Sequence, residues 1–263
     1  MRLDKYLAEA GIGMRKEVRG YIKNGDVLVN GNIVLEPSTE IDMNFDEMYY
    51  KEKLVEHKGK VYYMFHKPAG CVTARKDENK PTVLDYFSNE NCNGLFPVGR
   101  LDMDTEGLLF LTNDGSFDHM LMYPKKHVDK TYFFWAFGEL TIEEIKKIET
   151  GIDITGDENL TKPAILKIEK AGMFETLRRE MDIEDFLHKK KNLYNQKVIS
   201  GYLTITEGRK HQVKRMLKAM GCYVVYLKRI SIGPIELDET LEKGQYRVLS
   251  EQELQLLTQE SQV

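Results

Sequence analysis

Gly99-Arg100-Leu101-Asp102-Met103-Asp104-Thr105-Glu106-Gly107-Leu108-Leu109-Phe110-Leu111-Thr112-Asn113-Asp114-Gly115 is the stretch on which the reading of this chain turns. It runs from an acidic loop into an apolar strand, Leu108–Leu111, and then into a turn built from Asn113, Asp114 and Gly115. A loop tied at one end by a glycine and at the other by a buried strand can present one side chain to a cleft. Arg100 would lie close enough to hold a neighbouring carboxylate ionised. Any one of Asp102, Asp104 and Glu106, taken alone, reads equally as part of a solvated acidic loop that caps a strand.

Working outward, Val61–Phe65 is a second apolar strand. It ends at His66-Lys67-Pro68-Ala69-Gly70, where the Pro and Gly force a turn. Strand-like runs recur at Tyr132–Phe137, Ala164–Ile168 and Tyr202–Thr206, and helical stretches fall near 141–149, 209–220 and 251–258. Their irregular order lacks the βαβ rhythm of a doubly wound sheet. The expected class is therefore α+β, with a mixed, largely antiparallel sheet. The polar segment 172–200 shows no legible pattern.

Before the first of these strands lies a compact module. Leu3, Tyr6, Leu7 and Ala10 share one helix face, and Gly11 and Gly13 end that helix. A second helix is expected over Arg15–Lys23, with Val18 and Ile22 turned to a core. Its Arg15, Arg19 and Lys23 are spaced by four and make a basic stripe, with Lys16 beside it. Asp26–Val29, the turn Asn30-Gly31 and Asn32–Val34 read as a hairpin. The charged stretch Lys51–Lys60 reads as a linker.

The chain has 263 residues, enough for a small module and a larger domain with a real core. Apolar content of 41% and charged content of 30% mark an ordinary globular protein. The net charge of −4 argues by itself against a nucleic-acid partner. The clustering of the cations argues the other way. Cys71, Cys92 and Cys222 form no C-x-x-C pair and read as reduced thiols of a cytoplasmic protein. The first residues lack the apolar stretch of a signal peptide, and no run approaches the roughly 18 apolar residues of a membrane span. No membrane partner is expected.

Glu207-Gly208-Arg209-Lys210-His211-Gln212-Val213-Lys214-Arg215-Met216 is the second informative string. Val213, Met216, Leu217 and Met220 are spaced as a buried helix face. Lys210, Lys214 and Lys218 repeat on another face, with His211 and Arg215 adjoining. Read bare, this is an amphipathic helix with a basic solvated side. Lys130-Thr131-Tyr132 opens a strand on which Tyr132 reads as a core aromatic. Leu227–Pro234 reads as a strand and turn, whose Lys228 and Arg229 are placed to touch phosphates.

Taken together, these strings resemble the signatures of the pseudouridine synthases, in particular the RsuA-type family that modifies ribosomal RNA. The 99–115 string is similar to the family's catalytic loop, Lys67-Pro68 to its K-P-x-G turn, Lys130–Tyr132 to its K-x-Y segment and Glu207–Met216 to its last motif. The N-terminal module resembles the small RNA-binding domain shared with a small-subunit ribosomal protein. The resemblance implies that Asp102 is the nucleophile, that Tyr132 lies against the target uracil, and that Lys214, or next Arg215, pairs with Asp102. It implies RNA contacts from Arg100, Lys67, Arg209, Lys210, Arg215, Lys228 and Arg229, with Arg15, Lys16, Arg19 and Lys23 in the module. Asp104 and Glu106 have no such role and are expected at the rim or in the framework. The implied division is an RNA-binding domain over 1–58, a catalytic domain over 59–250 and a C-terminal tail over 251–263. The implied partner is ribosomal RNA, most similar to the small-subunit case, or a pre-ribosomal particle, met by a monomer.

The chemistry needs no cofactor and no metal. The glycosidic carbon–nitrogen bond breaks, the uracil turns, and it rejoins through carbon 5. A carboxylate facing the ribose stabilises or captures the positive charge that builds on the sugar. A cation beside it keeps it ionised although enclosed. The base first leaves its stack and is received by an aromatic ring. A non-catalytic ribosome-assembly protein would account for the module and the basic helix, but not for the Arg-Leu-Asp loop, the Lys-Pro turn and the Lys-x-Tyr strand together. An N-glycosidase would share the carboxylate but release a free base.

Overall fold

A computed structural model describes the whole chain except residues 58, 88–93, 124–127, 155, 182–194 and 261–263. Cys92, the middle of the polar segment 172–200 and the last residues of the expected tail therefore lie outside the described residues. Cys71 and Cys222 are buried free thiols.

Residues 1–55 build their own core. Helix α1 (Leu3–Glu9) packs on α2 (Arg15–Lys23), burying Leu3, Tyr6, Leu7, Val18 and Ile22. Burial of each large aliphatic side chain contributes about 1.5–3 kcal/mol. A four-stranded sheet backs them, in the order β2 (Asn32–Ile33), β1 (Val27–Val29), β3 (Met48–Tyr50), β4 (Lys53–Leu54). The hairpin turn carries positive φ at both Asn30 and Gly31, as an Asn-Gly two-residue turn requires. The stretch expected as a linker begins inside this sheet. Lys53 and Leu54 pair with Tyr50 and Tyr49, and Val55 is buried. Val55, buried among the charges, anchors it, and Tyr6 donates its hydroxyl to the Val55 carbonyl.

The second sheet has nine strands. Its path runs β13 (Tyr246–Val248), β5 (Tyr62–Lys67), β7 (Glu106–Thr112), β11 (Tyr223–Ile232), β8 (Lys130–Phe137), β10 (Lys197–Ile205), β9 (Ile165–Met173). Strand β6 (Phe96–Val98) joins β7, and β12 (Ile235–Glu236) joins β11. Among the described residues of this sheet only β7 and β11 run parallel; the other strand pairings are antiparallel. The α+β class with a mixed, largely antiparallel sheet is thus the fold. Every residue of β7 is buried, because its alternate side chains enter different cores. Leu109 and Leu111 join one, with Phe65, Tyr132 and Phe134; Leu108 and Phe110 join the other, with Met64 and Ile232. Gly107 has no substitute here, since a Cβ would meet the Arg229 carbonyl oxygen at 2.2 Å.

Among the described residues, α3 (Gly115–Met122), α4 (Ile142–Ile148), α5 (Phe174–Leu177) and α6 (Gln212–Ala219) frame this sheet and the site. The segment expected as a C-terminal tail carries the helical stretch expected near 251–258. It forms α7 (Glu251–Glu260), and its Leu257 is buried in the core shared with Leu108 and Phe110.

Candidate active site

The loop between β6 and β7 owes its shape to groups beneath it. Lys67 at the end of β5 is fully buried. Its ammonium donates to the carbonyls of Pro68 at 3.0 Å, Met103 at 3.3 Å and Thr105 at 2.9 Å. Burial holds its pKa below the ordinary lysine value. Thr73 Oγ1 donates to the Leu101 carbonyl at 2.7 Å and accepts from the Leu101 amide at 3.1 Å. The Gly70 amide adds a bond to the Met103 carbonyl. The backbone is therefore tied at Leu101, Met103 and Thr105, while the Asp102 side chain between them remains 27% exposed.

Helix α6 approaches that side chain end-on. His211 precedes it in the left-handed region, φ 53°, and Lys214 follows one turn later on the same face. His211 Nε2 stands 3.5 Å from one carboxylate oxygen of Asp102, and Lys214 Nζ 3.5 Å from the other. Lys214 also hydrogen-bonds Asp104. Burial acts to raise the Asp104 carboxyl, but the Lys214 ammonium outweighs it and holds the group below the usual carboxylate range. The expected Lys214–Asp102 pair is thus a shared one. Glu106 is buried, not at a rim: it accepts from the Tyr226 hydroxyl at 3.0 Å and pairs with Lys243 at 3.0 Å.

Asp102 opens onto a cavity of about 1070 Å³ that Arg100, Lys130, Tyr132, Lys210, His211 and Arg229 also line. Tyr132 is buried in its wall, with the Arg229 guanidinium 6.0 Å from its ring centroid. Lys130, two residues earlier on β8, donates to the Val128 carbonyl at 2.9 Å. Its burial, with Arg229 nearby, pushes its pKa down to about 8.

Several residues expected at the RNA are placed elsewhere. Lys67 is a strut of the loop. Arg229 is 1% exposed and donates Nε to the Leu108 carbonyl at 2.7 Å, so it lines the cavity wall and not the outer surface. Lys228 lies on the opposite face of β11, half-buried beside Glu106, because strand residues alternate. Arg209 spends its guanidinium on Glu207 at 3.1 Å and on the carbonyls of Asn159 and Leu160. Arg215 turns away from Asp102, to Asp157 at 3.0 Å and the Ile154 carbonyl. Arg100 is exposed at the cavity mouth and pairs with none of the described acids. Lys210 is exposed beside it, and Lys16 and Lys23 are exposed on α2. Arg15 and Arg19 are half-exposed and share Asp4, a fully buried carboxylate that also binds Arg2.

Two cavity residues, His211 and Lys130, have no role assigned from sequence. Each stands inside a recognised string, but only the fold shows that the helix start and the strand start converge on one cavity.

Residues 61–219 match the family described as RNA pseudouridylate synthase, and residues 1–44 match the S4 domain. The chain is 42% identical over 260 residues to "Uncharacterized RNA pseudouridine synthase YtzG" of Bacillus subtilis, covering 98% of this chain and 99% of the relative. With the same coverage it is 37% identical to ribosomal small subunit pseudouridine synthase A of Haemophilus influenzae. It is 34% identical to the protein of that name in Escherichia coli K12, covering 97% and 98%. A solved pseudouridylate synthase is similar throughout, with TM-score 0.65 and 35% identity over 98% of this chain and 99% of that one.

Proposed function

Because the chain belongs to the RNA pseudouridylate synthase family, we propose that it isomerises one uridine of small-subunit ribosomal RNA, with Asp102 as the nucleophilic carboxylate. The observation that carries this reading is the carboxylate itself: half-enclosed at a large cavity, on a loop tied at both sides, with two cationic or protonatable groups at 3.5 Å. The ribosomal target rests on the names of the relatives.

Asp102 meets the ribose as the glycosidic bond breaks, and Lys214 and His211 offset the cost of enclosing its charge. Tyr132 receives the flipped uracil against its ring. The base turns and bonds through carbon 5, which loses its proton while the former glycosidic nitrogen gains one. RNA mass is unchanged. Residues 1–58 dock the RNA and 59–250 carry the chemistry, on ribosomal RNA or a pre-ribosomal particle in the cytoplasm, by a monomer. Arg100 and Lys210 at the cavity mouth, and the cations of α2, supply phosphate contacts that local charge, not net charge, determines.

The test is a map of ribosomal RNA pseudouridines in cells with and without this protein, joined to conversion of an unmodified transcript by the purified chain. One site must disappear in the cells and appear in the transcript. Identical maps, or release of free uracil from the transcript, would reject the reading.

A further inference from the structure

We propose that the groove between the N-terminal module and the catalytic unit is a second binding site, for an unpaired nucleotide of the substrate RNA that flanks the target uridine. This deepens the RNA-modifying reading and rests on it. The groove encloses about 730 Å³, within the roughly 300–1,000 Å³ of sites that hold small organic ligands. One wall comes from Lys5 on α1 and from Met14 and Arg15 at the start of α2. The other comes from Arg75, Phe96 on β6 and His119 on α3.

The floor and the rim differ in chemistry. Met14 is 51% exposed and Phe96 half-buried, so a thioether and an aromatic ring face the groove. Every base has a π-face that can lie on such a floor. The rim is cationic. Asp4 accepts hydrogen bonds from Arg2, Arg15 and Arg19, which fixes Arg15 at the groove. One carboxylate among three guanidiniums leaves that cluster positive. Glu9 is the acid that lines the groove; it is buried and already paired with Lys5 at 3.7 Å, with His57 at 3.3 Å. Arg75 is half-buried and makes no hydrogen bond or ion pair with any described residue. A partly desolvated cation without an internal partner favours an anion from outside. An apolar floor under a cationic rim matches a base and its phosphate, and a second copy docking by the same face would set one positive rim against another.

The groove also lies on the path to the reaction. Ala74, Pro97 and Asp118 line the catalytic cavity, while their chain neighbours Arg75, Phe96 and His119 line the groove. A strand whose target base enters the cavity passes over β6 and α3, and brings an adjoining nucleotide to the groove.

The experiment uses the full chain and an unmodified ribosomal RNA transcript that the wild type converts. Arg75→Gln and Met14→Glu should each raise the RNA concentration for half-maximal single turnover by about five- to tenfold, the scale of one phosphate contact or one stacked base. Arg75→Gln should flatten the salt dependence of binding by about one counterion, and Arg75→Lys should restore it. The loss falls on half-saturation and not on the saturating rate. With a minimal RNA that lacks the flanking nucleotides, the variants should match the wild type. Unchanged half-saturation in both variants overturns the proposal while the wild-type conversion keeps the functional reading. Met14→Glu that leaves RNA binding intact but abolishes a dimer would show a second copy as the occupant, and overturn it too. A wild type that converts no ribosomal uridine removes both readings together.

Discussion

Lys67 carries an ammonium to a place without solvent, where three backbone carbonyls receive it. Lys67→Met would leave those carbonyls short of a donor, at a cost of about 1–3 kcal/mol, and would free the backbone around Asp102. We expect a lower unfolding temperature and a saturating rate down by about 10- to 100-fold; a lower temperature with a normal rate would make Lys67 a folding residue only. Asp102→Asn should cost at least about 1,000-fold in single-turnover rate, ~4 kcal/mol of barrier, with thermal unfolding unchanged. Asp104→Asn should keep most activity, because Lys214 then has Asp102 alone to pair with. Equal activities in the two variants would remove Asp102 from its assigned role. Lys130 offers a pH test. Its folded pKa of about 8 lies below the ordinary 10.5, so between these values the unfolded chain holds a proton the native state has released. Stability from this group therefore rises with pH across that window, by ~3 kcal/mol at most. Denaturant unfolding at pH 7 and pH 10 should show a smaller rise in Lys130→Met than in wild type, the remainder coming from Lys67 and Lys228, whose pKa values burial also lowers; parallel behaviour would contradict the buried ammonium. Asp102, Tyr132 and Lys214 are legible in sequence because each sits in a contiguous string of unusual order. Lys67 and Arg229 are not legible as framework, because a sequence displays a charge but not the strand that will cover it.

Helix α2 shows what a periodic pattern yields and what it omits. Its bounds, its buried Val18 and Ile22 and its basic stripe all follow from spacing. Asp4 does not, because it comes from another helix: it ties Arg15 and Arg19 down, and its own pKa is lowered to about 2 against the opposing effect of burial, through bonds to Arg15, Arg19 and Arg2. Neutralising Arg15, Arg19 and Lys23 together would therefore confound two effects, lost phosphate contacts and a buried carboxylate left with Arg2. Lys16→Gln with Lys23→Gln is the cleaner probe, since both lysines are exposed. It should weaken ribosomal RNA binding and lower the salt slope by up to about two counterions, with no change in unfolding temperature. A constant slope would place α2 off the RNA. Adding Arg15→Gln and Arg19→Gln should then lower the unfolding temperature as well. The elements missed by sequence are short or masked by turn formers. Strand β4 hides among charges, β6 and β13 have three residues each, and α3 starts where Asn113-Asp114-Gly115 reads as a turn. There Asp114 caps the helix by accepting from the Ser116 amide.

At the scale of the whole molecule, Asn113 is one side chain that ties the N-terminal module to the catalytic unit. Asn113, 6% exposed at the end of β7, donates to the Glu9 carbonyl of α1 at 3.3 Å and to the Gly59 carbonyl at 2.9 Å, and accepts from the Val61 amide at 2.9 Å. It binds the module, the connecting segment and the first strand of the catalytic sheet at one point. A net charge of −4 does not oppose RNA binding where cations cluster locally, and the cations of α2 act with those at the cavity mouth on one strand when the two units hold one orientation. Asn113→Ala removes all three bonds, at about 1 kcal/mol each and more where a partner stays buried and unpaired. The core of neither unit loses packing. We therefore expect calorimetry to resolve two transitions in Asn113→Ala where the wild type shows closer coupling. Half-saturation with a long ribosomal RNA should rise, since docking by the module no longer presents the target at the cavity. A short RNA that reaches only the cavity should react as in the wild type. If long and short RNAs lost rate equally, Asn113 would act through the catalytic loop at the other end of β7, and the joint would have no part in directing the substrate.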